Sequence, residues 1–448
     1  MGEGNIVAYN PYIVAHRFGF GADADGMREI ASNSRSWFDR QLSARADTAL
    51  PGKYKTSDEI SRALSKYIKA EREERKAILK SGFDLYQREM KARFEHAVTT
   101  DTPLIERMVM FWSNHFAVSF KGKPQMAGLV GVYEREAIRP HVLGKFSDML
   151  RAVVAHPAML VYLDNVQSFG PNSVVGKRRG KGLNENLARE ILELHTLGVG
   201  GGYTQEDVIG FAKVLTGWTV KPPRLGGGGF DFIKYVHEPG AHRVLGKTYD
   251  QDGQAQGIEV LKDLARHPST AKFIATKMAR HFISDKPPAS VVRKLEQTFN
   301  RTGGDLADMM RAIIGMRETW ATPLPKVKTP YDMIVSSFRA LGASPDVLDF
   351  KRIAQSLALL DNVPFQAPSP QGWPDTAQDW LSPNATISRV EWCHAFAQVI
   401  RPTENPLKLA QTVMAGAANP DTLLWIERAP SPVDGLALML ASPEWQRR

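Results

Sequence analysis

The chain has 448 residues, of which 43% are apolar and 23% charged, so it can bury a large core and has the make-up of an ordinary globular protein. Its net charge of +9 favours anionic partners, without choosing among phosphorylated or sulfated substrates, acidic polysaccharide, nucleic acid and a membrane surface. A single cysteine, Cys393, excludes an intrachain disulfide framework and a cysteine-based zinc site, and reads as a buried thiol.

The opening residues lack the basic start and apolar stretch of an export signal, and no later run of about 20 apolar residues could cross a bilayer. The expectation is therefore a soluble chain, cytoplasmic by default, or periplasmic if exported alongside a partner. From Pro11 to Leu42, helical spacing broken by Gly19 and Gly21 predicts two helices around a turn. Residues 57–98 alternate Lys, Arg and Glu with apolar positions, which predicts a basic helical arm with a solvated outer face. Leu104 to Phe120 is an apolar helix that delivers Trp112, Asn114, His115 and Phe116 at its end. His115 is a candidate base or metal ligand and Asn114 its orienting partner, against the plainer reading of a satisfied helix end.

Residues 170–184 read as a basic, Gly-rich loop in which Arg178 and Arg179 are candidates for holding an anion, with a disordered surface loop as the equal alternative, and the spacing is not that of a Walker loop. Asn184 is the expected cap of the next helix, Glu185 to Leu197. At roughly 100° per residue, Asn186, Arg189, Glu190 and Glu193 share one arc of about 100°. Such a face could orient a polar ligand or a metal, or it could be a solvated surface with weak ion pairs worth about 0.2–0.5 kcal/mol each. His195 points the opposite way, into the apolar side, and reads as a core residue. Thr204 and Asp207 have capping-box spacing, and Trp218 closes this block either in the core or as a pocket wall.

Phe230 to Tyr249 predicts a short hairpin showing His237, Glu238 and His242 near its turn, with His237 able to join a metal site. Regular helical patterns then run on through Ser269–Phe282 and beyond with no residue cluster that stands out. Residues 364–389 are a long Pro/Trp-rich loop anchored by Phe365, Trp373 and Trp380, in which Trp373 could stack on a sugar, against the plainer reading that it cements the loop to the helices. These patterns predict a mainly α protein, one continuous domain over 1–448, with long loops and one short β-hairpin.

WSNHF, the block NENLAREILELHTLGVGGGYTQEDV with its closing LTGW, QGWPDTAQDWLSPNATISR and the final SPEWQ together resemble the bacterial domain-of-unknown-function 1800 family over nearly the whole chain. The resemblance implies a single, mostly helical domain and covers Trp112, Asn114, His115, Asn186, Arg189, Glu190, Glu193, Trp218, Gly372 and Trp373. It also implies that the position of His195 is often Phe. Relatives commonly occur beside a second family similar to sulfatases and alkaline phosphatases, and many carry export signals that this chain lacks.

Two functions are expected from these residues. The first is an enzyme, a hydrolase using paired carboxylates or a divalent metal on an anionic or carbohydrate substrate. Glu190, Glu193, His115 and Asn114 would be its catalytic set, Asn186, Arg189, Arg178, Arg179, Trp218 and Trp373 its substrate contacts, and Glu190, Glu193 and His237 its metal ligands. The second, implied by the resemblance, is a non-catalytic helical partner or chaperone of a sulfatase-like or alkaline-phosphatase-like protein. Nucleic-acid binding rests on charge alone.

Overall fold

Helix starts are written into this sequence by their caps. Asn10 accepts from the Tyr12 and Ile13 amides, and Thr56–Glu59, Thr204–Asp207 and Thr329–Asp332 form reciprocal capping boxes. Proline at the first turn opens several more, among them Pro103–His115, Pro268–Phe282 and Pro383–Ile400. The structure, a computed structural model, describes residues 9–448 except 44, 45, 68, 69, 181, 322, 323 and 403. It is mainly α-helical, with two short antiparallel strand pairs. Among the described residues no helix is long and apolar enough to cross a membrane.

Helix Pro103–His115 runs through the core, with Leu104, Ile105, Met108, Val109, Phe111 and Trp112 buried. It also buries Glu106 and Arg107, which survive inside because each is paired. Arg139 grips both Glu106 oxygens at 2.6 and 2.8 Å, and Arg107 meets Asp332 at 2.8 Å. The 28-residue helix Arg72–Thr99 lays Tyr86, Met90, Arg93, Phe94 and Ala97 inward at helical spacing. It crosses helix Ala127–Tyr133 closely, where a Cβ on Gly128 would sit 3.2 Å from the Gly82 Cα. The final segment folds back on the chain: Lys328 N donates to the Gln446 carbonyl and Arg448 N to that of Lys326, both at 2.9 Å. Tyr12 in the first helix donates to the Glu444 carbonyl at 2.8 Å, tying the two ends to the same core.

Two expectations change in detail. The basic stretch 170–184 is not all loop: Ser173 caps a short helix, Val174–Arg179, which stops at Gly180 in the left-handed region. Instead of one hairpin over 230–249, Phe230–Phe232 pairs with Trp218–Val220, and His242–Val244 turns back on Lys247–Tyr249. The turn falls at Leu245 and Gly246, both at positive φ, so His237 and Glu238 lie ahead of the hairpin rather than at its tip.

Candidate functional site

A cavity of about 540 Å³ opens where the C-terminal ends of helices Pro103–His115 and Pro268–Phe282 meet the Pro/Trp-rich loop. Asn114 holds the loop by both ends of its amide. Its Oδ1 accepts from the Trp373 amide at 2.7 Å and its Nδ2 donates to the Trp373 carbonyl at 2.9 Å. Gly372 must be glycine for this clamp, because it sits at φ 86° and a Cβ there would lie 2.3 Å from the Asn114 carbonyl oxygen. Phe365, also in the wall, is held at φ 60°, a strained conformation for a non-glycine residue. Phe111, Tyr331, Phe365 and Trp373 give the cavity aromatic faces.

On the helix side, Lys277 and His281 are four residues apart and therefore share one face, and both line the cavity. Asp375, two residues beyond Trp373, accepts from His281 Nδ1 at 3.1 and 3.2 Å. Because a carboxylate only accepts, Nδ1 carries the proton and Nε2 bears the lone pair, which is buried and has no partner among the described residues. Burial lowers the His281 pKa to about 4 even though Asp375 pulls the other way, so the ring is neutral near pH 7. Burial alone would raise the Asp375 carboxyl, but His281, Lys326 and Arg448 hold it below its ordinary value. Lys326 Nζ also donates to the Asp375 backbone carbonyl at 2.6 Å and lies 3.6 Å from its carboxylate, so the residue is held from behind. Burial lowers Lys277 to about 8, partly offset by Asp375.

Of the residues expected from sequence, Asn114, His115 and Trp373 line this cavity. His115 is buried, and its Nε2 donates to the His195 carbonyl at 3.1 Å while His195 Nδ1 donates to the His115 carbonyl at 2.9 Å. His195 is thus a core residue, as its angular position predicts. Burial pushes His115 well below its ordinary pKa.

The expected composite of His115 with the carboxylate face is not assembled, since neither Glu190 nor Glu193 lines the cavity. Asn186–Glu190 is α-helical but Ile191–Thr196 is a π-helical turn, closed by Leu197 N to the Leu192 carbonyl at 2.9 Å. His195 packs inward against His115, whereas Arg189 and Glu193 of the polar arc take local partners. Arg189 donates to Glu185 and Gln205, Tyr203 donates to Glu193 at 3.0 Å, and Asn186 is exposed. Burial, then the neighbouring Glu193, raises the Glu190 pKa.

The remaining expected residues lie elsewhere. Arg178 and Arg179 are exposed at the end of their short helix and do not line the cavity. Trp218 is buried against Gly257, where an added Cβ would meet its indole at 2.7 Å, so it belongs to the core. His237 Nδ1 donates to the Thr216 carbonyl at 2.7 Å, and the Glu238 amide donates to Thr216 Oγ1 at the same distance. Among the described residues no three His, Cys, Asp or Glu side chains gather as a metal would require, so Glu190, Glu193 and His237 do not form the expected ligand set.

Lys277, His281 and Asp375 escaped the sequence reading because the first two sit in an unremarkable amphipathic helix. The available signals were the i, i+4 Lys–His pair and a carboxylate two residues after Trp373.

No curated protein and no solved structure matches the chain. The sequence pattern of the family described as protein of unknown function (DUF1800) matches residues 13–447, nearly the whole chain, and the protein belongs to that family.

Proposed function

We propose that the protein is an enzyme that takes an anionic or carbohydrate substrate into the 540 Å³ cavity and uses His281 as its general base, oriented by Asp375. The observation that carries this reading is the His281 ring itself: neutral, fixed at Nδ1 by a half-buried carboxylate, and without a partner at Nε2 among the described residues. A base so arranged accepts a proton from water or a substrate hydroxyl at Nε2, and Asp375, remaining ionised, stabilises the imidazolium that results. The aromatic faces of Tyr331, Phe365 and Trp373 suit a sugar ring, which presents apolar C–H faces and polar edges.

The test is turnover of aryl glycosides, aryl sulfates and aryl phosphates by the wild-type protein, His281→Asn and Asp375→Asn, with circular dichroism to verify folding. Hydrolysis of one class, slowed by about 10²–10⁴ in folded His281→Asn, supports the proposal. Wild-type turnover that survives His281→Asn overturns it, as does inertness toward all three classes.

A further inference from the structure

Charge in the cavity wall is unevenly neutralised. Arg107 is matched by Asp332 at 2.8 Å and Arg93 by Glu134 at 2.9 Å, so neither cation is left over for a ligand. Lys277 and Arg280 differ: both line the cavity, which also holds Asp375 and Asp379, and among the described residues neither makes a hydrogen bond or an ion pair, although half-buried Lys277 lies in the field of Asp375 and Arg280 is exposed. They stand on the same helix as His281, at the positions four before and one before it. The Lys277 ammonium lies 5.8 Å from the Phe273 ring centroid, an apolar support that holds the amine without neutralising it. A cation removed from water is costly unless something pairs with it, and a ligand oxyanion is the complementary group.

We infer that Lys277 and Arg280 form an oxyanion subsite, which reads a carboxylate, sulfate or phosphate group on the substrate and places the neighbouring bond at His281. The inference rests on the reading of the cavity as a substrate site and deepens it. Selection of the negative charge falls to two cations that line the cavity, half-buried Lys277 and exposed Arg280, rather than to Arg178 and Arg179, which do not line it. Lys277 supplies a point charge beside the base, and Arg280 a planar fork at the rim.

The experiment is calorimetric titration of the full chain with N-acetylglucosamine 6-sulfate, N-acetylglucosamine 6-phosphate, glucuronic acid and neutral N-acetylglucosamine. Wild type is expected to bind at least one charged sugar ten-fold or more tightly than the neutral one, and the preferred anion identifies the oxyanion source. Lys277→Met and Arg280→Met should each erase that preference and its salt dependence while leaving binding of the neutral sugar in place. As a second readout, the Lys277 amine, ¹³C-dimethylated and followed by NMR, should titrate near 8 in the free protein and rise when the anion is added.

Equal affinity for charged and neutral sugars, with both lost in Trp373→Ala, overturns the subsite but leaves the cavity as a substrate site. Binding of none of the sugars overturns both readings.

Discussion

At the scale of single residues, the histidines of this protein are defined by what burial does to their protons. His115 and His195 exchange hydrogen bonds with one another's backbone carbonyls, so each uses one ring nitrogen as a donor and stays neutral. Burial lowers His195 to about 3 from the ordinary 6.5, and His281 to about 4. In the unfolded chain these rings protonate near 6.5, so as the pH falls the unfolded state takes up protons first. Their stabilisation is therefore complete above about pH 6.5 and is lost progressively toward the folded-state values, at up to about 1.4 kcal/mol per pH unit for each ring. Replacing His195 by Phe, the residue the family resemblance implies at this position, should remove one of these contributions. Urea unfolding at several pH values between 6.5 and 4 should then show a slope shallower by about one proton. An unchanged slope would mean that His195 is charged in the folded protein.

At the scale of elements, the question is how a loop as long as 364–389 comes to form a defined wall. Asn114 answers it, since one side chain at a helix end takes both the amide and the carbonyl of Trp373. Asn114→Ala deletes two hydrogen bonds from a half-buried clamp and should cost about 1–3 kcal/mol. The loss should concentrate in the loop, seen as faster amide exchange at 371–376 with helix Pro103–His115 still protected. Uniformly faster exchange would show instead that the clamp holds the core.

Both members of this pair were legible in the sequence, Asn114 as a polar residue ending an apolar helix and Trp373 as a loop anchor. Their contact was not, because residues separated by 259 positions meet only through the tertiary fold. Helix starts were readable for the opposite reason: a cap acts over three residues, as Thr204 and Asp207 do. The carboxylate face was legible as a face, since Glu190 and Glu193 still act on one another across the π-helical turn Ile191–Thr196, but its separation from the cavity that His115 lines was not. Hydrophobic spacing correctly sent His195 inward, but it carries no information on whether the opposite face meets a cavity or solvent. Lys277 and His281 lay in a pattern that periodicity explains completely, so only the approach of Asp375 gives them a role.

Across the whole molecule, a basic chain keeps several of its charges inside, and the interior is stable because they are wired together. Arg139 pairs with Glu106 and Glu134, Arg93 shares Glu134 at 2.9 Å, and His96 reaches Glu106 at 3.3 Å. Burial alone would raise the Glu106 carboxyl, yet Arg139 and His96 hold it at about 2. This network joins helices Arg72–Thr99 and Pro103–His115 to the π-helical turn Glu134–Ile138, and Arg93 carries it to the cavity wall. Composition predicts none of this, because +9 summed over the chain does not distinguish a buried guanidinium from an exposed one. Truncating Arg139 to Met would leave two carboxylates buried and adjacent without their shared cation. That should cost about 3–5 kcal/mol in urea unfolding, far more than the ~1 kcal/mol or less expected from breaking an exposed pair such as Lys80–Asp84. Arg139→Met combined with Glu106→Gln should recover part of the loss, because the carboxylate that loses its guanidinium is then neutral while Glu134 keeps Arg93 as its partner. If the single variant behaves like the surface pair, the interior is wetter than its packing indicates and the ion pairs do not hold these helices together.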